Sequence, residues 1–206
     1  MRSRATRQVP PAYVEFSLTF PKTLCIAGVD EVGRGPLAGP VIAAAVIFPP
    51  RFVIPGITDS KKLTPKQREN FFPLIRQGAL TIGLGYASPR EVDRLNILQA
   101  SLLAMKKAVQ NLARLPDRVL VDGNRPLELP LAQTCLVGGD ARSLTIGAAS
   151  IVAKVVRDKV MEASHVRFPV YNFRCNKGYG TAEHLEALRR FGPCPFHRRS
   201  FRGVRP

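Results

Sequence analysis

Residues 24–48 read LCIAGVDEVGRGPLAGPVIAAAVIF. Two apolar runs enclose a segment rich in glycine and proline. The first, Leu24 to Val29, has the length of a strand and ends on an adjacent acid pair, Asp30-Glu31. The second, Val41 to Phe48, is the longest apolar stretch of the chain, far short of the roughly 18 residues a membrane helix needs. The first reads as a buried strand and the second as another strand. Between them, Gly33, Gly35, Pro36, Gly39 and Pro40 break any helix.

Working outward, Thr64-Pro65 is a cap followed by proline at the first helical position, and predicts a helix to about Arg76. Leu80 to Tyr86 reads as a strand. Ser88-Pro89 with Glu91 opens a helical stretch in which Ile97, Leu98, Ser101, Leu102, Met105, Ala108 and Val109 recur at helical spacing. Arg118 to Val121 and Cys135 to Val137 read as strands. A long helix follows from about Ser143 to His165, then a turn at Gly178-Tyr179-Gly180 and a last helix from Thr181 to about Arg190. The expected fold is α/β, a mixed sheet with helices on both faces, the later strands parallel to the first. Residues 1–20 read as a basic, flexible lead-in. Residues 21–206 read as one domain ending in a small, basic helical part.

The 206 residues include 31 Lys+Arg against 15 Asp+Glu, a net charge of +16. That excess points to a polyanionic partner, nucleic acid before membrane. The 4 cysteines are scattered and the histidines number 3, so neither a zinc framework nor a disulfide scaffold is expected, and a reducing cytoplasm fits best. The opening MRSRATRQVPP lacks the apolar region of a secretory signal.

In so basic a chain the position of each acid is informative. Asp30-Glu31 follow CIAGV, Asp122 follows VLV, and Asp140 follows LVGG. Parallel neighbours put their C-terminal ends side by side, about 4.8 Å apart, where open α/β sheets place their sites. Carboxylates so close repel each other, and a divalent cation relieves that repulsion. Oxygen ligands with no His or Cys beside them select Mg²⁺ or Mn²⁺. In a basic protein that combination suggests two-metal phosphodiester cleavage. An acid after a strand can equally be a turn former or cap. A non-catalytic basic nucleic-acid-binding protein is the alternative, explaining the charge but not the acids.

GVDEVGRGPLAGPV at residues 28–41 resembles the opening signature of bacterial ribonuclease HII. The resemblance continues through Asp59 to Leu63, Asn96-Ile97-Leu98, Val121 to Asn124, Gly139-Asp140, Ala148 to Lys154, Arg157-Asp158, Lys177-Gly178-Tyr179 and His197 to Phe201, in family order. It implies an RNase H-like fold with a mixed five-stranded sheet. It also implies an endonuclease acting on the RNA strand of RNA–DNA hybrids and cutting 5′ to single ribonucleotides in duplex DNA, leaving 3′-hydroxyl and 5′-phosphate ends. The family's metal-binding carboxylates fall on Asp30, Glu31, Asp122 and Asp140. Its Gly-Arg-Gly element, whose backbone reads the ribose 2′-hydroxyl, falls on Gly33, Arg34 and Gly35. Tyr179 matches the tyrosine on the deoxyribose side of the junction. The resemblance makes Ser60, Lys61, Lys62 and Lys177 substrate contacts. Gly139 stands where many relatives carry lysine, and Asn176 where histidine is common. Arg34 and the lack of an N-terminal domain favour ribonuclease HII over HIII. Nothing calls for more than a monomer.

Several features have a plainer reading. Gly28 to Gly35 nearly imitates a phosphate-binding loop, but it lacks the Lys-Ser/Thr and holds two acids, so no nucleotide cofactor is expected. Ser60, Lys61 and Lys62 also suit a helix cap and solvated charge. Asp158 either pairs with Lys154 four residues earlier or supports the metals from behind. Arg198, Arg199, Arg202 and Arg205 read as phosphate contacts or as solvated tail.

Overall fold

The computed structural model describes residues 13–16, 24–50, 52–57, 60 and 62–204. At its centre is the strand predicted from the first apolar run, β1 (Ile26–Val32). It pairs antiparallel with β2 (Val41–Ile47), which pairs antiparallel with β3 (Thr81–Ala87). On its other side β1 pairs parallel with β4 (Arg118–Asp122), and β4 pairs parallel with β5 (Ala132–Leu136). The sheet order is β3-β2-β1-β4-β5. This is the mixed five-stranded sheet expected, with the later strands parallel to the first.

β1 does not stop at Val29. It runs through the acid pair because β2 continues opposite it, Asp30 facing Ala44 and Glu31 facing Ala43. β5 lies earlier than Cys135 to Val137, held in register by β4, with Val121 beside Cys135. β2 is covered on both faces. Val41, Ala43, Ala45 and Ile47 pack with α3 (Ile97–Gln110), while Ala44 and Val46 pack with α1 (Pro65–Gly78) and α4 (Leu144–Arg167). The alanines are the reason both helices can lie close.

The caps read from sequence are in place. The Thr64 hydroxyl accepts the Gln67 N–H at the start of α1, and Ser88 accepts the Glu91 N–H at the start of α2 (Pro89–Leu95). The helical stretch expected after Ser88 divides at Asn96. That residue has a φ of 71°, and its side chain accepts the N–H groups of Leu98 and Gln99 to start α3. Its ψ of 166° puts it outside the left-handed helical well, in a region that costs a side chain strain, and the two cap bonds offset that cost.

Part of the expected lead-in is packed. Tyr13 is buried and donates its hydroxyl to Ile57 O at 2.8 Å. The Glu15 carboxylate accepts the Thr145 N–H at 2.9 Å and the Ser143 hydroxyl at 2.5 Å. A carboxylate at a helix N-terminus satisfies unpaired amides and meets the positive end of the helix dipole. The other residues of 1–20 lie outside those described. Among the described residues the four cysteines are free thiols, and no helix is long and apolar enough to cross a membrane.

A C-terminal layer is built from the end of α4, α5 (Phe173–Asn176) and α6 (Ala182–Phe191). Its core holds Met161, Tyr171, Phe173 and Leu188 together with two buried histidines. His184 Nε2 and His197 Nε2 are 2.9 Å apart. The Cys194 N–H donates to His197 Nδ1 at 3.1 Å. That fixed donor makes Nδ1 an acceptor, so the His197 proton sits on Nε2 and is given to His184 Nε2. His184 therefore carries its own proton on Nδ1 and gives it to Tyr179 O at 2.8 Å. Protonating either ring would set two donors against each other. Burial, then the neighbouring His184, lower His197 to about 4. The unfolded state takes up this proton first, so stability falls as pH drops from 6.5 to about 4. The stability lost there is about 3 kcal/mol. Urea unfolding at pH 7 and pH 4.5 should show the wild type losing its advantage over His197→Gln across that window; a constant difference would contradict the neutral pair.

Candidate active site

Alternation along the strands determines which acids meet. On β1, Ala27 and Val29 face α3, so Asp30 faces α4. On β4, Val119 and Val121 face α3, so Asp122 also faces α4. Val29 pairs with Val121, so the next residue on each strand, Asp30 and Asp122, are neighbours. Glu31 follows on β1, with its carboxylate 3.2 Å from Arg34 Nη1. Asp140 is buried in a short turn, Gly139–Ala141, between β5 and α4. That turn is tied to β4, because the Gly139 N–H donates to Asp122 Oδ1 at 2.7 Å. A Cβ at 139 would start 2.6 Å from the end of the Ile146 side chain and 3.2 Å from Asp122 Oδ1.

Burial, then the charges of Glu31 and Asp122, push the Asp30 carboxyl well above its ordinary range. Glu31 is also raised, chiefly by burial, with Arg34 opposing. Ser150 of α4 hydrogen-bonds the Asp30 carboxylate. The Ser150 and Ser60 hydroxyl oxygens are 2.7 Å apart. With Ser150 donating to Asp30, Ser60 donates to Ser150. Ser60, read as a substrate contact, is thus buried behind Asp30. Its carbonyl accepts from the buried Arg68 at 2.8 Å.

Among the described residues, no group of three or more His, Cys, Asp or Glu side chains is arranged to hold a metal ion as it stands. Asp30, Glu31 and Asp122 share mutual repulsion instead. Their oxygens are the donors a hard divalent cation takes, and such a cation would remove the repulsion. The donor chemistry fits the ions that the sequence suggested.

Beside the carboxylates, the segment from Gly33 to Pro40 is held from within by two fully buried arginines. Arg198 donates from Nε to Gly39 O, from Nη1 to Arg34 O and from Nη2 to Gly33 O, at 2.9, 2.9 and 2.5 Å. Arg157 donates to Pro40 O, Ala38 O and Lys177 O at 3.1, 3.1 and 3.0 Å. In a trans peptide the N–H points opposite to the C=O. With the Gly33 and Arg34 carbonyls turned onto Arg198, the N–H groups of Arg34 and Gly35 point away from it, on residues exposed to solvent. Gly33 has a φ of 95°, and a Cβ there would start 2.3 Å from Arg157 Nε. Only glycine admits both the conformation and the guanidinium.

The Tyr179 ring flanks this loop. A Cβ on Gly35 would stand 3.7 Å from Tyr179 Cε1, and the tyrosine is 48% exposed. Gly178 O accepts the Leu37 and Ala38 N–H groups at 2.8 and 3.3 Å, joining the two segments. Asn176 does not face solvent. Its amide donates to Tyr171 O at 2.6 Å and accepts the Gly178 N–H at 2.8 Å, shaping the turn that carries Tyr179. Lys177 Nζ pairs with Glu162 at 2.7 Å. Lys62 is exposed, and Lys61 lies outside the described residues. Asp158 pairs with Lys154 at 2.6 Å. Two turns of α4, about 12 Å, separate it from Ser150.

Arg198 is therefore neither a phosphate contact nor solvated tail, a correction to the sequence reading. Hydropathy hides it. Arg157 gave a fainter signal, standing four residues from both Ala153 and Met161 on the buried side of α4. Burial and the charge of Arg157 lower Arg198 to about 9, so it still carries its charge at neutral pH.

The raised Asp30 carboxyl makes a prediction about stability. A raised folded-state pKa stabilises the fold in acid, and that contribution is lost as pH rises through it. In metal-chelating buffer at pH 7, Asp30→Asn should melt above the wild type, each ~1 kcal/mol gained giving roughly 2–4 °C. A lower melting temperature would contradict the repulsive cluster.

Comparison with known proteins agrees with this geometry. The ribonuclease HII family model matches residues 27–204. A ribonuclease HII of Syntrophotalea carbinolica is 56% identical over 97% of this chain and 96% of its own length. That of Geobacter sulfurreducens is 54% identical over 87% of this chain and 83% of its own. The crystal structure of ribonuclease H2 from Pyrococcus horikoshii superposes with a TM-score of 0.75 at 26% identity, covering 87% of this chain and 95% of that one. A ribonuclease HIII structure with Mn²⁺ superposes at 0.70, over 88% of this chain and 68% of that one; at 19% identity it speaks for the fold alone. A central acid pair, a glycine loop clamped by buried arginines and a match over nearly the whole chain lead to one conclusion: the chain belongs to the ribonuclease HII family, as an RNase H endonuclease.

Proposed function

We propose that this ribonuclease H cuts 5′ to single ribonucleotides embedded in duplex DNA, as well as within RNA–DNA hybrids, leaving 3′-hydroxyl and 5′-phosphate ends. The observation that carries the reading is the clamped loop. The Arg34 and Gly35 amides are aimed outward beside Asp30 and Glu31, with the Tyr179 ring 3.7 Å from where a Gly35 side chain would begin. Bare amides on a glycine loop can donate to a 2′-hydroxyl, the group that separates RNA from DNA. Tyr179 lies against the following sugar, where a second 2′-hydroxyl would clash. The substrate is thus read as a ribose followed by a deoxyribose.

Asp30, Glu31, Asp122 and Asp140 would hold two divalent cations, Mg²⁺ or Mn²⁺. Ions held by these carboxylates would supply activation of the attacking water and stabilisation of the leaving oxygen. The chain's own residues set up that step. Ser150, itself held by Ser60, fixes the Asp30 carboxylate by a hydrogen bond. The Gly139 amide orients the Asp122 carboxylate, which would then offer its remaining lone pairs to a cation. The net charge of +16 holds the remaining phosphates, Lys62 and Lys177 among them. The protein acts as a monomer in the cytoplasm.

The test is a DNA duplex with one ribonucleotide, beside an all-DNA duplex and a continuous hybrid, with Mg²⁺ or Mn²⁺. Cutting should fall 5′ to the ribonucleotide and spare the all-DNA duplex. Asp122→Asn should lower the rate by on the order of 10³-fold or more while leaving duplex affinity nearly unchanged. Cleavage of the hybrid alone would overturn the embedded-ribonucleotide reading, and near-native activity of Asp122→Asn would overturn the site.

A further inference from the structure

The peptide of Tyr179 is held by a directed chain of hydrogen bonds. Its carbonyl accepts the Thr181 N–H at 2.9 Å and His184 Nδ1 at 2.8 Å. His184 is fully buried and accepts from His197 Nε2 at 2.9 Å; His197 in turn accepts the Cys194 N–H. Each donor is settled by the one before it, starting from a backbone amide that can only donate. His197 also pairs across its backbone with Ala38, and the next residue, Arg198, holds the Gly33 and Arg34 carbonyls. One end of the chain is thus fixed to the ribose-reading loop and the other to Tyr179.

We propose that His184 and His197 are positioning residues that set the place of Tyr179 relative to Gly33–Gly35, and through it the preference for a ribonucleotide followed by a deoxyribonucleotide. The proposal rests on the reading of Tyr179 given above. The turn needs such a brace. Lys177 and Gly178 both have positive φ, at 50° and 85°, and Tyr179 is half exposed. The bonds from Leu37, Ala38 and the Asn176 side chain end on Gly178, and the Tyr179 N–H donates to Asn176 O at 2.9 Å. The Tyr179 carbonyl is held only by Thr181, two residues on, and His184 among the described residues. Asn176 holds the amide side of Tyr179, and His184 is the side chain that holds its carbonyl side to the layer that clamps the loop. Imidazole suits the task. It spans two partners on opposite ring edges, stays neutral, and packs edge-on against Phe173 at 89° and Tyr171 at 72°.

The experiment compares kcat/KM on a duplex with one embedded ribonucleotide with kcat/KM on a continuous hybrid. His184→Phe keeps the aromatic packing and loses both bonds. It should lower this ratio roughly fivefold to tenfold, the worth of one hydrogen bond. His184→Asn places an amide donor where Nδ1 was and should restore most of the ratio. His184→Gln reaches towards His197 but lacks that donor and should not, a comparison that serves equally where His184→Phe does not fold. Tyr179→Ala should lower the ratio at least as far, and adding His184→Phe to it should lower it no further. Histidine ¹⁵N spectra at pH 7 should show His184 protonated on Nδ1 and His197 on Nε2. If Tyr179→Ala leaves the ratio unchanged, the reading of Tyr179 fails. If Tyr179→Ala lowers it and the His184 variants do not, or the double variant is additive, the brace alone is overturned. His184 protonated on Nε2 would overturn it as well.

Discussion

Two guanidinium groups without solvent contact fix the shape of the site. Taking an arginine out of water costs several kcal/mol. Arg198 offsets that with three bonds to carbonyl oxygens, each worth roughly 1.5–3 kcal/mol because the donor is charged. The two terms nearly cancel, so the arrangement is poor at adding stability. Its consequence is orientation. Carbonyls that would otherwise turn to solvent are drawn inward, and their partner amides are left facing out. Arg157 does the same for Ala38, Pro40 and Lys177, so the glycine loop and the Tyr179 turn hang on one charged pair of posts.

The carboxylates follow a similar logic. A sheet that buried apolar residues at positions 30 and 122 would fold more readily. Asp30 and Asp122 sit there on the same face, against α4, and burial together with the charge of Asp122 raises the cost of ionising Asp30. The chain tolerates this because both faces of β2 are packed with helices and because Glu15 and Tyr13 tie the start of α4 and the Ile57 loop. The repulsion is concentrated where β1 and β4 lie side by side, and a bound cation would relieve it.

Much of this was legible in the sequence, for identifiable reasons. The strands around residues 24–48 are continuous apolar runs, and such runs leave little choice of structure. Asp30, Glu31 and Asp122 each follow a run, so their meeting needed only the parallel pairing of β1 and β4. The caps at Thr64 and Ser88 are local and were readable locally. What stayed hidden is long-range and polar. Arg198 reads as tail because its carbonyl cage is formed by residues 165 positions away, at Gly33. Ser60 reads as a substrate contact or a cap because its partner, Ser150, lies 90 positions on. The break at Asn96 escaped notice because the apolar spacing continues through it. No charge or hydropathy pattern encodes a buried ion that is satisfied by backbone.

The most direct test of this account is binding, measured where cutting is prevented. In the Asp122→Asn background, affinities for a duplex with one ribonucleotide and for the matching all-DNA duplex would be compared, with Arg198 intact and changed to Gln. The clamp predicts that Arg198→Gln removes most of the difference between the two duplexes while affinity for all-DNA duplex stays the same. A folded Arg198→Gln protein that still distinguishes the ribonucleotide to the wild-type extent would contradict it.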